Sequence, residues 1–100
     1  MRLTPDQRDQ IVRTIRDRVG EDATIWLYGS RTADNPRGGD VDLLVRTSAV
    51  IDVRDQAILH DQLERELALP VDVSFIDPRH GMNRFQRLAA TSAVPVEAAP

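Results

Sequence analysis

The spacing of apolar residues along this chain switches between helical and strand periods. Ile11, Ile15 and Val19 recur at i, i+4 and i+8 with Val12 beside them, which makes one apolar helix face. Thr4 is a good N-cap before it, Pro5 fits the first helical position, Gln7 completes a capping box, and Gly20 supplies a stop. "TIWLY" is β-branched and aromatic and reads as a strand, and its apolar character on both faces predicts a central position. Residues 29–39 hold three Gly, one Pro and one Asn and read as a loop. "DVDLLV" is a second strand. A helix is predicted from about Val53 to Leu69, with Leu59, Leu63 and Leu67 buried, the charged clusters solvated and Pro70 ending it. "VDVSFI" alternates strictly and reads as a third strand, broken by Pro78. "MNRFQRLAATSA" is a short third helix with Phe85, Leu88 and Ala89 inward. "VPVE" adds a short last strand, and residues 97–100 form a frayed tail.

The order α-β-β-α-β-α with a closing β predicts an α/β (α+β) fold. All 100 residues form one domain on this reading. Strand side chains alternate between faces. Asp40 and Asp42 therefore share one face of the second strand, opposite Val41, Leu43 and Val45. Asp72 and Ser74 share one face of the third, opposite Val71, Val73 and Phe75. Each strand has an apolar face that packs on helices and an acidic face that does not.

Composition narrows the chemistry. The net charge is −3 and no basic stripe runs along the chain, which gives no strong signal for nucleic acid. All thirteen basic residues are Arg, a pattern that a GC-rich genome explains. There is no Cys, so disulfides and thiolate metal sites are excluded. No apolar run approaches the ~18 residues of a membrane span, and "MRLTPDQRDQ" is too polar for a signal peptide. A cytoplasmic protein is the expectation.

Three carboxylates on neighbouring strands would repel one another unless a cation sits among them. Hard oxygen ligands in this arrangement suit Mg²⁺ or Mn²⁺. Two such ions about 4 Å apart clamp the attacking and leaving oxygens of a phosphoryl displacement. Gly29 and Ser30 follow the first strand, where a phosphate chain on those ions would lie. Gly lets the backbone approach a ligand closely, Ser30 adds a hydroxyl, and Arg31 neutralises phosphate charge.

Gly29-Ser30, nine intervening residues, Asp40-Val41-Asp42 and then Asp72 resemble the nucleotidyltransferase superfamily that includes DNA polymerase β. "YGSR" and "GGDVDLLV" look especially like its minimal nucleotidyltransferase branch. The resemblance covers nearly the whole chain. It implies a mixed sheet with helices on one face and an open acidic cleft on the other. It implies two Mg²⁺ ions held by Asp40, Asp42 and Asp72, ATP as the nucleotide substrate, and Gly29 and Ser30 on its phosphates. Asp72 would help to activate the attacking hydroxyl. Thr32 and Asp34 depart from a frequent Ala and Gly of the branch, and Gly39 replaces a frequent Ser.

Members of that branch are commonly paired with an all-helical HEPN-type protein, as antitoxin with toxin, and some transfer AMP to a tyrosine of that partner. A hundred residues leave no room for a separate acceptor-binding domain, so a partner protein is the expected acceptor. The expectation is AMP transfer from ATP to a hydroxyl of that partner. Its alternatives are an antitoxin that acts by binding alone and transfer to a small molecule such as an aminoglycoside. A strand edge or the C-terminal segment leaves homo-oligomerisation open. His60 reads as exposed, His80 as a turn residue, and Trp26 and Tyr28 as core or cleft wall.

Overall fold

The computed structural model describes residues 3–29 and 41–98. Helix α1 spans Pro5–Val19 and begins in a reciprocal capping box. The Gln7 N–H donates to Thr4 Oγ1 at 3.1 Å, and the Thr4 N–H donates to Gln7 Oε1 at 2.8 Å. Such a cap is worth about 1 kcal/mol. Strand β1 is Thr24–Tyr28 and β2 is Val41–Arg46. Helix α2, Val53–Leu67, is capped by Asp52, whose Oδ1 accepts the Asp55 N–H at 2.8 Å. It ends at Ala68, which takes the left-handed conformation at φ 55°, before Pro70 is reached. Strand β3 is Val71–Ile76, α3 is Arg84–Ala90, β4 is Val94–Pro95, and a 3-10 turn covers Val96–Ala98.

Among the described residues the four strands form one sheet in the order β3-β2-β1-β4. β1 runs antiparallel to β2 and to β4, while β2 and β3 are parallel, so the sheet is mixed. The central position of β1 and β2 explains why both are apolar over most of their length. Ile25, Leu27, Val41, Leu43, Val45 and Val71 pack on Ile11 and Ile15 of α1 and on Leu59, Leu63 and Leu67 of α2. Burial of apolar side chains on this face supplies most of the driving force, at about 25 cal/mol per Å². The two helices are also tied to each other. Thr14 Oγ1 and Gln10 Nε2 both donate to Glu66 Oε2, at 2.5 and 2.7 Å.

The opposite face carries the acids, and α3 covers part of it. A second apolar cluster of Tyr28, Leu44, Ile76 and Ala89 lies there, with Trp26 and Met82 against it. Leu44 and Ile76 share the acidic face and need a cover, which is why a third helix packs where helices were expected on one face only. The inward residues of α3 correct the sequence expectation. Gln86 and Ala89 are buried, while Phe85 and Leu88 are 54% and 71% exposed. Small Ala89 permits close approach to the sheet, and Gln86 is fully employed. Its Nε2 donates to Ser74 Oγ and to the Phe75 carbonyl, both at 2.9 Å, and its Oε1 accepts the Asn83 N–H at 3.0 Å. Replacing Gln86 by Leu strips a partner from each of these groups, and each buried polar group left unpaired costs about 1–3 kcal/mol. A fall in the urea midpoint is the expected result, and an unchanged midpoint would count against Gln86 as the pin of α3.

Candidate active site

Register places the predicted acids. Tyr28 pairs with Asp42 across β1 and β2, and Asp42 pairs with Asp72 across β2 and β3. Directly opposed residues put their side chains on the same face. Tyr28, Asp42 and Asp72 therefore form a row across three strands. The next row on that face is Trp26, Leu44 and Ser74. Asp72 is exposed, Asp42 is half-buried and Tyr28 is buried.

The backbone beside the acids is held by α2. The Val41 N–H donates to the Pro70 carbonyl at 2.9 Å, joining the start of β2 to the start of β3. The Val71 N–H donates to Glu64 Oε2 at 2.9 Å, and its carbonyl lies 2.8 Å from His60 Nε2. That contact places the imidazole proton on Nε2. The expectation that His60 is simply exposed is thus corrected: its ring, half-buried, caps the edge strand β3 next to Asp72. At the far end of the same strand Gln86 takes the Phe75 carbonyl. Side chains that occupy edge groups in this way discourage pairing with another strand.

Tyr28 senses both burial and the acids beside it. The Tyr28 hydroxyl is pushed from its ordinary 10.0 up to about 12, first by burial and then by the charges of Asp42 and Asp72. Both carboxylates thus act on one point. The sign of the stability effect follows. An unfolded Tyr ionises near pH 10 while the folded one keeps its proton to about pH 12. Between these values the native state binds more protons, so stability falls as pH rises. Tyr28 is the one tyrosine of the chain, so tyrosinate absorbance follows it alone. Asp42→Asn is expected to lower its pKa; an unmoved titration would show that Asp42 does not act on it.

Gly29 shapes the floor beside the row. It has φ +75°, and a Cβ built there would lie 2.6 Å from Asp42 Oδ2. Only the absence of a side chain leaves the carboxylate its place. The residues present fit a hard divalent cation: oxygen donors only, carried by adjacent strands, with no His or Cys in the row. Among the described residues no group of three or more metal-binding side chains gathers. Asp42 and Asp72 are two of the expected trio; Asp40, Ser30 and Arg31 lie outside the described residues. His80 sits in the turn after β3, where its N–H donates to the Asp77 carbonyl at 3.1 Å.

Sequence reasoning did not single out Gln86. The signal was present, because Asn83 and Gln86 have capping-box spacing and the box forms. Phe85 packs edge-on against Tyr28, with ring centroids 6.0 Å apart, which brings α3 to the margin of the acidic row. No described helix is long and apolar enough to cross a membrane.

The family described as "Nucleotidyltransferase domain" matches residues 8–94. Solved structures share the fold. A chain from the complex of tri-AMPylated Shewanella oneidensis HEPN toxin with MNT antitoxin has a TM-score of 0.73 at 19% identity, over 93% of this chain and 71% of that one. A toxin–antitoxin structure with AMP-PNP gives 0.74 at 20% identity, over 94% and 73%. An MntA–HepT toxin–antitoxin complex gives 0.73 at 18% identity, over 93% and 71%. No curated protein matches the chain.

Proposed function

We propose, from the premise that this chain belongs to the family of nucleotidyltransferase domains, that it transfers AMP from ATP to a hydroxyl of a HEPN-type partner protein, as the antitoxin of a toxin–antitoxin pair. The observation that carries the reading is the row Tyr28–Asp42–Asp72, two carboxylates in register on neighbouring strands of this fold. The partner and the nucleotide are supported by neighbours that hold a HEPN toxin carrying AMP and a bound ATP analogue.

Asp42 and Asp72, with Asp40 from the motif, would hold Mg²⁺ or Mn²⁺. When bound there, the divalent cation offsets the charge of the triphosphate and of the departing pyrophosphate. Gly29 lets the main chain approach the phosphates, and Ser30 and Arg31 donate to them. Asp72, the more exposed acid, takes the proton of the acceptor hydroxyl. The hydroxyl oxygen then bonds to the α-phosphorus, the bond to the bridging oxygen breaks, and pyrophosphate leaves. Buried Tyr28 stays protonated throughout the neutral range and forms the wall of the row.

The test uses the purified protein, Mg²⁺ and a lysate of the source organism, with ATP labelled at either the α or the γ phosphate. A protein band labelled from the α position and not from the γ position is expected. Label from the γ position alone would make the chain a phosphoryl-transfer enzyme, and no labelled band from either would leave it an antitoxin that works by binding.

A further inference from the structure

We propose that the outer face of α3 is the docking surface for the acceptor protein, a partner that presents an apolar contact bordered by acidic side chains. The proposal rests on the transfer reading above and assigns the surface that reading requires. Phe85 and Leu88 stand three residues apart on this helix and so form one ridge. They are 54% and 71% exposed although both are large and apolar. Gln86 and Ala89 fill the inner face of α3 and the edge of the Phe85 ring meets Tyr28, which leaves the outer part of Phe85 and all of Leu88 facing outward.

Two observations name the occupant. The first is position. The Phe85 ring meets Tyr28 edge-on, and Tyr28 lies in register with Asp42, itself in register with Asp72. A protein whose hydroxyl reaches those acids comes to rest against this ridge. The second is charge. Arg84 and Arg87 flank the ridge, both are exposed, and α3 carries no acidic residue, on a chain whose net charge is −3. An apolar ridge with arginines beside it selects a partner whose contact face is apolar and acidic, and keeps two copies of this chain from pairing through it.

The experiment repeats the α-labelled ATP assay with Mg²⁺ and lysate, using Leu88→Glu, Arg84→Glu and, as a control far from the site, Val53→Glu, whose side chain is 80% exposed on α2. Circular dichroism checks that each variant is folded. Leu88→Glu is expected to lower the labelled band at least about tenfold, Arg84→Glu to lower it by an amount that shrinks as salt is raised, and Val53→Glu to leave it unchanged. Leu88→Glu labelling the band as the wild type does overturns the surface and leaves the transfer reading standing. An equal loss in Val53→Glu also overturns it, because the effect would not belong to α3. No band with the wild type overturns the transfer reading and the surface together.

Discussion

Replacing Asp42 or Asp72 by Asn lowers nucleotide transfer by at least about 100-fold and leaves the chain folded. A group that stabilises charge as it develops is commonly worth that factor alone, and in the proposed mechanism these carboxylates also hold the cation. The two substitutions act on one unit, so the double variant loses little more than either single one. Stability moves the other way. Asp42 and Asp72 stand opposite each other on adjacent strands, and like charges so placed are destabilising. In the absence of divalent cations the melting temperature of Asp72→Asn equals or exceeds that of the wild type. Activity assays on the same preparations, read beside thermal melts, check both halves. Activity lost only together with the fold would make the acids structural.

Gly29→Ala disables the site from the other side. An L-residue at φ +75° costs about 1–2 kcal/mol. The new methyl carbon would stand 2.6 Å from Asp42 Oδ2 and 3.4 Å from its Cγ, so the carboxylate must leave its position. A displacement of about 1 Å in a reacting group can cost about 100-fold. Transfer is therefore expected to fall nearly as far as in Asp42→Asn, and the urea midpoint to fall as well, which Asp72→Asn does not cause. Wild-type activity in Gly29→Ala would mean that Asp42 works from a different place.

Much of this was legible in the sequence, for definite reasons. Alternation alone put Asp42 and Asp72 on polar faces of their strands, and capping residues marked the start of α1. Alternation cannot supply register, since it says which face a residue takes and not which neighbour it meets. The parallel pairing that sets Asp42 opposite Asp72 depends on the crossover through α2, where Glu64 and His60 hold Val71. The inward face of α3 was misread for a related reason. Hydrophobicity favoured Phe85 and Leu88, but the sheet offers Ser74 Oγ and the Phe75 carbonyl, and an amide answers these where a leucine cannot. Leu44 was the clue to α3, as an apolar residue on the face of Asp42 that required a cover. Asp40, Ser30 and Arg31 enter through the motif alone.

On the proposed mechanism the row Tyr28–Asp42–Asp72 is where a divalent cation and a nucleotide meet. Paramagnetic broadening by Mn²⁺ with AMP-PNP at neutral pH tests it without an acceptor. The ring signals of Tyr28, the one tyrosine, are expected to broaden at low Mn²⁺. The methyl signals of Leu59 and Leu63, buried on the other face of the sheet, should broaden much less, because the effect falls with the sixth power of distance, and Asp42→Asn with Asp72→Asn should abolish the selectivity. Sharp Tyr28 signals, or broadening that spreads equally to both faces, would mean that the cation and nucleotide do not meet at this row.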